Sequence, residues 1–239
     1  MTVKVLMRPH VNDNLSPSGI STVIQKYFKY LPDYGIDLVD ESSDSIDVMA
    51  CHASAPSYAN LPIVHHCHGL YWTAEYEAAE WEWAENAGVV QNLVSAREIV
   101  VPSEWVAQTI RLDMHIKPHV IPHGIDFEEW DHNEPYEQYI LWNKNRDTDA
   151  CSTDFLERVS EVIRDKIFVS TFGTPSENLK IIGPQDRSSM VNIIKRAGVY
   201  LSTTKETFGI GTLEAMAAGV PIVGFDSGVT QCILLHVST

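Results

Sequence analysis

Apolar and polar positions follow two rhythms along this chain. Short apolar runs at Val3–Met7, Ile36–Val39, Ile46–Ala50 and Leu61–Gly69 end in polar loops and predict buried strands. Between the first two, Ile20, Val23, Ile24, Tyr27, Phe28 and Leu31 recur at helical spacing until Pro32. That pattern predicts a helix opened by Gly19 and stopped by the proline. Thr73–Leu93 reads as a helix with an acidic face, Glu98–Val101 as a strand, and Ser103 as the N-cap of a helix through Leu112. Val120–Asp126 reads as a strand ending in a turn. Phe127–Gln138 is polar, acidic and carries Pro135, which predicts a boundary between a domain of residues 1–130 and one of residues 131–239. The pattern restarts with strands at Tyr139–Trp142, Ile167–Thr171, Leu179–Ile182, Ala197–Ser202 and Val220–Phe225. Helices are predicted at Phe155–Ile163, Met190–Arg196 and Leu213–Ala218. Strands and helices that alternate in this way predict an α/β protein with parallel sheets.

Charge narrows the partners. The net charge of −15 argues against a nucleic-acid or membrane-surface binder, yet a local cluster of donors can still hold a small anion. Cys51, Cys67, Cys151 and Cys232 show neither metal nor disulfide spacing, which suits a reducing compartment. No apolar run reaches the roughly 18 residues of a membrane span. A soluble cytoplasmic protein is expected.

The richest chemistry lies between Lys205 and Pro221. Glu206 and Glu214 flank Gly209 and Gly211, an apolar run precedes them, and Gly219 closes the helical segment that follows. The first N–H groups of a helix lack internal partners and sit at its positive end, so this loop is suited to an anion. Lys144 and Arg146, at the end of the Tyr139–Trp142 strand, are cations available for a phosphate or for a solvated turn. His65, His66, Cys67 and His68 invite a metal reading. Alternate residues of a strand face opposite ways, however, so these four do not converge on one ion without a break. His68 alone, beside Gly69 at the strand's C-terminal end, is the better candidate for ligand contact, with a structural histidine as the other reading. Ser18 and Gly19 mark either a tight turn or a close backbone approach to a ligand.

The motif of Glu206, Phe208, Gly209, Glu214 and the run Ala215-Met216-Ala217-Ala218-Gly219-Val220-Pro221 resembles the donor site of retaining GT-B glycosyltransferases, group 1 (family 4). Pro17–Ile20, His65–Gly69 and Val120–Asp126 also resemble segments of that family. The resemblance implies two Rossmann-like domains facing a cleft, an acceptor-side first domain and a nucleotide-sugar-binding second domain. It implies a UDP-, GDP- or ADP-sugar as donor, no cofactor and no metal. Glu206 and His68 would be catalytic. Lys144, Arg146, Phe208, Gly209, Ile210, Gly211, Thr212 and Glu214 would bind the donor, and Ser18 and Gly19 would form the acceptor or phosphate loop. The acceptor, carbohydrate, lipid or protein, is not identified. The family's second domain runs on past the point where this chain stops, so an incomplete second domain is expected, with exposed apolar edge surface that favours a homo-oligomer. Two carboxylates also suit a glycoside hydrolase, but the glycine loop between them favours a phosphate-bearing ligand. The alternatives carried forward are a non-catalytic nucleotide or sugar binder and a GT-B-type nucleotide-sugar epimerase.

Overall fold

The computed structural model describes residues 2–13, 18–58, 60–71, 77–133, 135–144 and 151–225. Its contacts divide the chain into two compact units, Met1–His123 and Gly124–Thr239.

The first unit is built from β1 (Val3–Arg8), α1 (Gly19–Tyr30), β2 (Ile36–Val39), β3 (Val48–His52), β4 (Ile63–His66), α2 (Glu80–Ser95), β5 (Glu98–Val101), α3 (Glu104–Met114) and β6 (His119–Val120). The strands pair in parallel in the order β2-β1-β3-β4-β5-β6. The chain leaves β1 toward β2 on one side and returns to β3 on the other. The C-terminal ends of β1 and β3 therefore flank a topological switch point, where open parallel sheets take their ligands. Alternation along the strands sorts the core. Met7 and Ala50 pack with Ile24 of α1, while Leu6, Met49, Cys51 and Ile63 cluster together. The same alternation turns His52 and His66 toward Tyr27 of α1 and His65 toward Cys51.

Helix α1 starts where expected because Ser18 and Ser21 cap it reciprocally. The Ser18 hydroxyl accepts from Ser21 N at 3.1 Å, and the Ser21 hydroxyl accepts from Ser18 N at 2.8 Å. Two predicted bounds move furthest. Helix α2 begins at Glu80 rather than Thr73, since the Glu82 carboxylate accepts the Ala79 N–H at 3.0 Å and sets the start there; residues 72–76 lie outside the described residues. The strand expected over Val120–Asp126 is only His119–Val120. Its ladder ends with Ile121 N donating to Val101 O at 2.9 Å, and Pro122 has no N–H to continue it.

The second unit holds α4 (Phe127–Trp130), β7 (Tyr139–Trp142), α5 (Asp154–Val162), β8 (Ile167–Ser170), β9 (Leu179–Ile181), α6 (Arg187–Arg196), β10 (Val199–Ser202), α7 (Ile210–Ala217) and β11 (Ile222–Gly224). Its parallel order is β11-β10-β7-β8-β9, so β7 and β10 flank a second switch point. The contacts divide the chain at His123, ahead of the boundary expected after residue 130. The reason is Trp130, fully buried in a core with Leu141, Ile194, Tyr200 and Ala215. The other face of the sheet packs Trp142, Phe168, Leu179 and Leu201 against Leu156 of α5. No helix joins β8 to β9. Asn178, in the connecting loop, donates from Nδ2 to the carbonyls of Ser160, Ile163 and Lys166 at 3.0, 3.1 and 3.0 Å, which satisfies the end of α5.

Helix α7 ends in a Schellman motif. Gly219 has φ +73, its N–H donates to Met216 O at 2.9 Å, and Val220 N donates to Ala215 O at 2.9 Å. His132 Nε2 and the Tyr136 hydroxyl each lie 3.1 Å from Ala218 O and fasten that end further. Among the described residues β11 lies at the sheet edge, and Val223 and Phe225 are exposed. Among the described residues, no helix is long and apolar enough to cross a membrane.

Candidate functional site

In the second unit the predicted residues gather at the C-terminal ends of β7 and β10. Lys144 follows β7 and Glu206 follows β10, and the Lys144 ammonium donates to Glu206 Oε1 across the switch point. The Lys144 side chain is 10% exposed and that of Glu206 28%. Burial pulls the Lys144 pKa down, but the Glu206 carboxylate outweighs it and leaves the amine above the usual lysine range. The Lys144 backbone is held as well: its N–H donates to Thr171 Oγ1 at 2.9 Å, and that hydroxyl donates back to Lys144 O at 2.9 Å.

Helix α7 opens at the same place. Gly209 caps it with φ +74, a conformation that favours glycine. The first intrahelical donor is Leu213 N, to Gly209 O at 3.0 Å, so the N–H groups of Ile210, Gly211 and Thr212 precede the ladder. A Cβ on Gly211 would stand 2.5 Å from the Tyr200 hydroxyl oxygen, and that hydroxyl donates to Asn143 Oδ1 at 2.6 Å. Burial pushes the Tyr200 phenol up to about 12, so it stays a donor. The Thr212 hydroxyl is buried against Ser202 Oγ at 3.0 Å and pins α7 to β10, which leaves its N–H as the group to offer a ligand. Phe208 is buried at the turn into the helix.

Glu214 is buried in α7 and is not bare. Arg187 Nη1 donates to its Oε1 at 2.5 Å, while Arg187 Nη2 donates to Glu129 Oε1 at 3.2 Å. The Arg187 guanidinium also lies 5.1 Å from the centre of the Trp130 ring. Arg187 is not among the residues expected from the sequence. Its signal is a cation directly after the Asp186 N-cap of α6, at the helix end that disfavours positive charge; two carboxylates compensate it. Asn143 and Tyr200 went unnoticed too, because neither carries a pattern of its own. Arg146 lies outside the described residues.

In the first unit His68 sits at the switch-point end of the sheet within a file of rings. His52 and His66 stack with centroids 4.5 Å apart, and His123 lies 5.4 Å from His68. His52 Nδ1 is 2.9 Å from His68 Nε2. Burial is the main cause that holds all these rings neutral: His66 and His123 fall to about 4, and His52 and His68 lie well below the usual range. His65 faces away, falls to about 4 for the same reason, and its Nδ1 is 3.2 Å from Cys51 O. His66 and His68 thus separate from His65 and Cys67 as strand alternation requires. Among the described residues, no group of three or more His, Cys, Asp or Glu is placed to hold a metal ion. The Ser18 hydroxyl is engaged in capping α1, with Gly19 as the first helical residue, while Pro17 lies outside the described residues.

Residues 4–129 match Glycosyltransferase Family 4, and residues 174–237 match Glycosyl transferases group 1. No curated protein sequence matches the chain. Among solved structures, AviGT4, a glycosyltransferase involved in avilamycin A biosynthesis, is similar with a TM-score of 0.65 at 14% identity, over 98% of this chain and 82% of that one. The UDP-GlcNAc 2-epimerase from Methanocaldococcus jannaschii is similar with a TM-score of 0.53 at 11% identity, over 98% and 87%. TarM is similar with a TM-score of 0.56 at 14% identity over 77% of this chain, which spans 42% of TarM's length. With a family match over more than half its length and the parallel α/β units of the GT-B fold, the chain belongs to the family 4, group 1 glycosyltransferases.

Proposed function

We propose that this glycosyltransferase moves a glycosyl group from a nucleoside diphosphate sugar to an acceptor, with retention of configuration and without a metal ion. The observation that carries this reading is the Lys144–Glu206 pair across the second switch point, beside the N-terminus of α7. When the bond between sugar and diphosphate breaks, negative charge grows on the leaving diphosphate. The N–H groups of Ile210, Gly211 and Thr212 and the Lys144 ammonium are preorganised for that charge, the task a divalent cation performs in other sites. Arg146 supplies a further counter-charge. Arriving phosphate competes with Glu206 for Lys144. The carboxylate then accepts hydrogen bonds from the sugar hydroxyls and faces the positive charge developing at the anomeric carbon. Glu214, oriented by Arg187, accepts from ribose hydroxyls. His68 positions the transferred sugar, the Ser18–Gly19 turn serves the acceptor side, and the donor is UDP-, GDP- or ADP-linked. The chain works in the cytoplasm on this reading.

Calorimetry and transfer assays with UDP-glucose, UDP-GlcNAc, GDP-mannose and ADP-glucose, with and without EDTA, test the reading. Lys144→Met is expected to weaken nucleotide binding at least tenfold, about 1.4 kcal/mol. Glu206→Gln is expected to lower turnover by roughly 10²- to 10³-fold while binding changes little. Undiminished turnover in Glu206→Gln refutes the site, and activity lost to EDTA and restored by Mn²⁺ refutes metal independence. Likeness to the epimerase supports a second reading, epimerisation of the donor sugar. Conversion of a nucleotide sugar without any added acceptor separates the two, and binding without conversion marks a non-catalytic binder.

A further inference from the structure

The histidine file in the first unit contains a chain of three side chains whose protons are determined from its buried end. Met7 and His52 are each 1% exposed. His52 Nε2 lies 3.1 Å from Met7 Sδ, and His52 Nδ1 lies 2.9 Å from His68 Nε2. The His52 and His68 ring centroids are 5.2 Å apart and their planes differ by 24°. That separation, with only 2.9 Å between the nitrogens, places the rings edge to edge, as an in-plane N–H···N bond requires.

A thioether carries no proton and can only accept. A neutral imidazole carries one proton, and burial keeps both rings neutral. If His52 places its proton on Nδ1, its Nε2 lone pair meets the sulfur lone pairs in a buried contact. If the proton is on Nε2, it is given to Met7 Sδ, and Nδ1 is left to accept. His68 must then carry its own proton on Nε2 to make the 2.9 Å bond. Its Nδ1 is left as a bare acceptor, with no hydrogen-bond partner among the described residues. The ring beneath, His66, stacks on His52 and holds its plane.

We propose that Met7 and His52 are positioning residues that fix His68 in its Nε2–H tautomer, so that His68 Nδ1 selects a ligand hydroxyl and turns away groups that can only accept, such as carboxylate or phosphate oxygens. The hydroxyl-bearing ligand rests on the nucleotide-sugar reading; the tautomer does not. A histidine that chose its proton freely would serve either kind of group, and the sulfur at the far end of the relay removes that choice.

The test is a long-range ¹H–¹⁵N spectrum of the full chain, labelled at the histidine rings, near pH 7. Replacing the histidines one at a time assigns the resonances. His52 and His68 are both expected as Nε2–H tautomers, and His68 with its proton on Nδ1 overturns the proposal. Met7→Leu keeps the volume and removes the acceptor. It is expected to turn His52 and His68 into tautomer mixtures, and an even mixture halves the competent fraction and raises the Kd for a nucleotide sugar about twofold. Unchanged tautomers in Met7→Leu overturn the relay. Among UDP-glucose, GDP-mannose and ADP-glucose, one that binds is expected to shift the His68 Nδ1 resonance as the lone pair gains a proton donor. Binding without that shift overturns the hydroxyl assignment. If none of the three binds while both tautomers are as stated, the relay stands and the donor reading is what fails.

Discussion

Acidification to pH 5 should unfold the first unit before the second. His65, His66 and His123 have folded values of about 4 against 6.5 for a free imidazole. The sign follows from the direction of the shift. Between these values the unfolded chain binds a proton at each ring and the folded chain does not, so stability is present above pH 6.5 and is lost as pH falls toward 4. Going from pH 7 to pH 5 costs about 2 kcal/mol for one such ring, and on the order of 5 kcal/mol for the three. His52 and His68 shift in the same direction and add to the loss. Domains commonly have about 5–15 kcal/mol in all. The assay is urea unfolding at half-unit steps from pH 7.5 to 5, with hydrogen exchange to separate peptides of residues 2–123 from those of residues 124–225. The slope should correspond to uptake of about three to five protons on unfolding, confined to the first unit. Stability flat to within about 1 kcal/mol across this range, or a loss shared equally by both units, would refute the reasoning.

Three further outcomes bear on the second unit and on α1. Gly211→Ala relieves a helical glycine, worth about 0.5–1 kcal/mol, but drives a methyl against the Tyr200 hydroxyl and strains its bond to Asn143, so a net loss of about 1–4 kcal/mol is expected in thermal unfolding. In a Tyr200→Phe background the same change should be nearly neutral, and a double-mutant cycle showing no coupling contradicts the contact. Arg187→Leu leaves Glu214 buried without its cation; because Arg187 is itself 40% exposed, the loss should be about 1–3 kcal/mol, accompanied by weaker nucleotide binding in calorimetry. Ser18→Ala removes half of a reciprocal cap and should cost about 1 kcal/mol in urea unfolding.

Glu206 and Glu214 were legible as a pair because their setting is local. A strand, two glycines and a helix lie within twenty residues of one another, and the spacing of Glu206 and Glu214 needs no knowledge of the rest of the chain. His68 was legible as the polar end of an apolar strand. The pairings these groups make were not. Lys144 and Glu206 are 62 positions apart, Arg187 and Glu129 58, and His52 and Met7 45. His52 ends β3 as His66 ends β4, and their register makes them neighbours, but register belongs to the sheet and not to either strand. Met7 had no signal at all: a methionine in an apolar strand reads as core, which it also is.

What the amino-acid order determined by itself is the set of elements and the chemistry each one carries. Helical and strand periodicities, caps and glycines are short-range, and they are enough to specify a parallel α/β chain with an anion-ready loop. The tertiary structure decided which elements lie side by side at the two switch points. Parallel strands pair across long connections, so the ends of β7 and β10, or of β1, β3 and β4, meet only after the sheet has formed. That is why charge pairing at Lys144, orientation of Glu214 and the proton position on His68 are properties of the fold. Each depends on a partner brought near by burial, in surroundings where an unpaired charge or a misplaced proton costs more than it would in water.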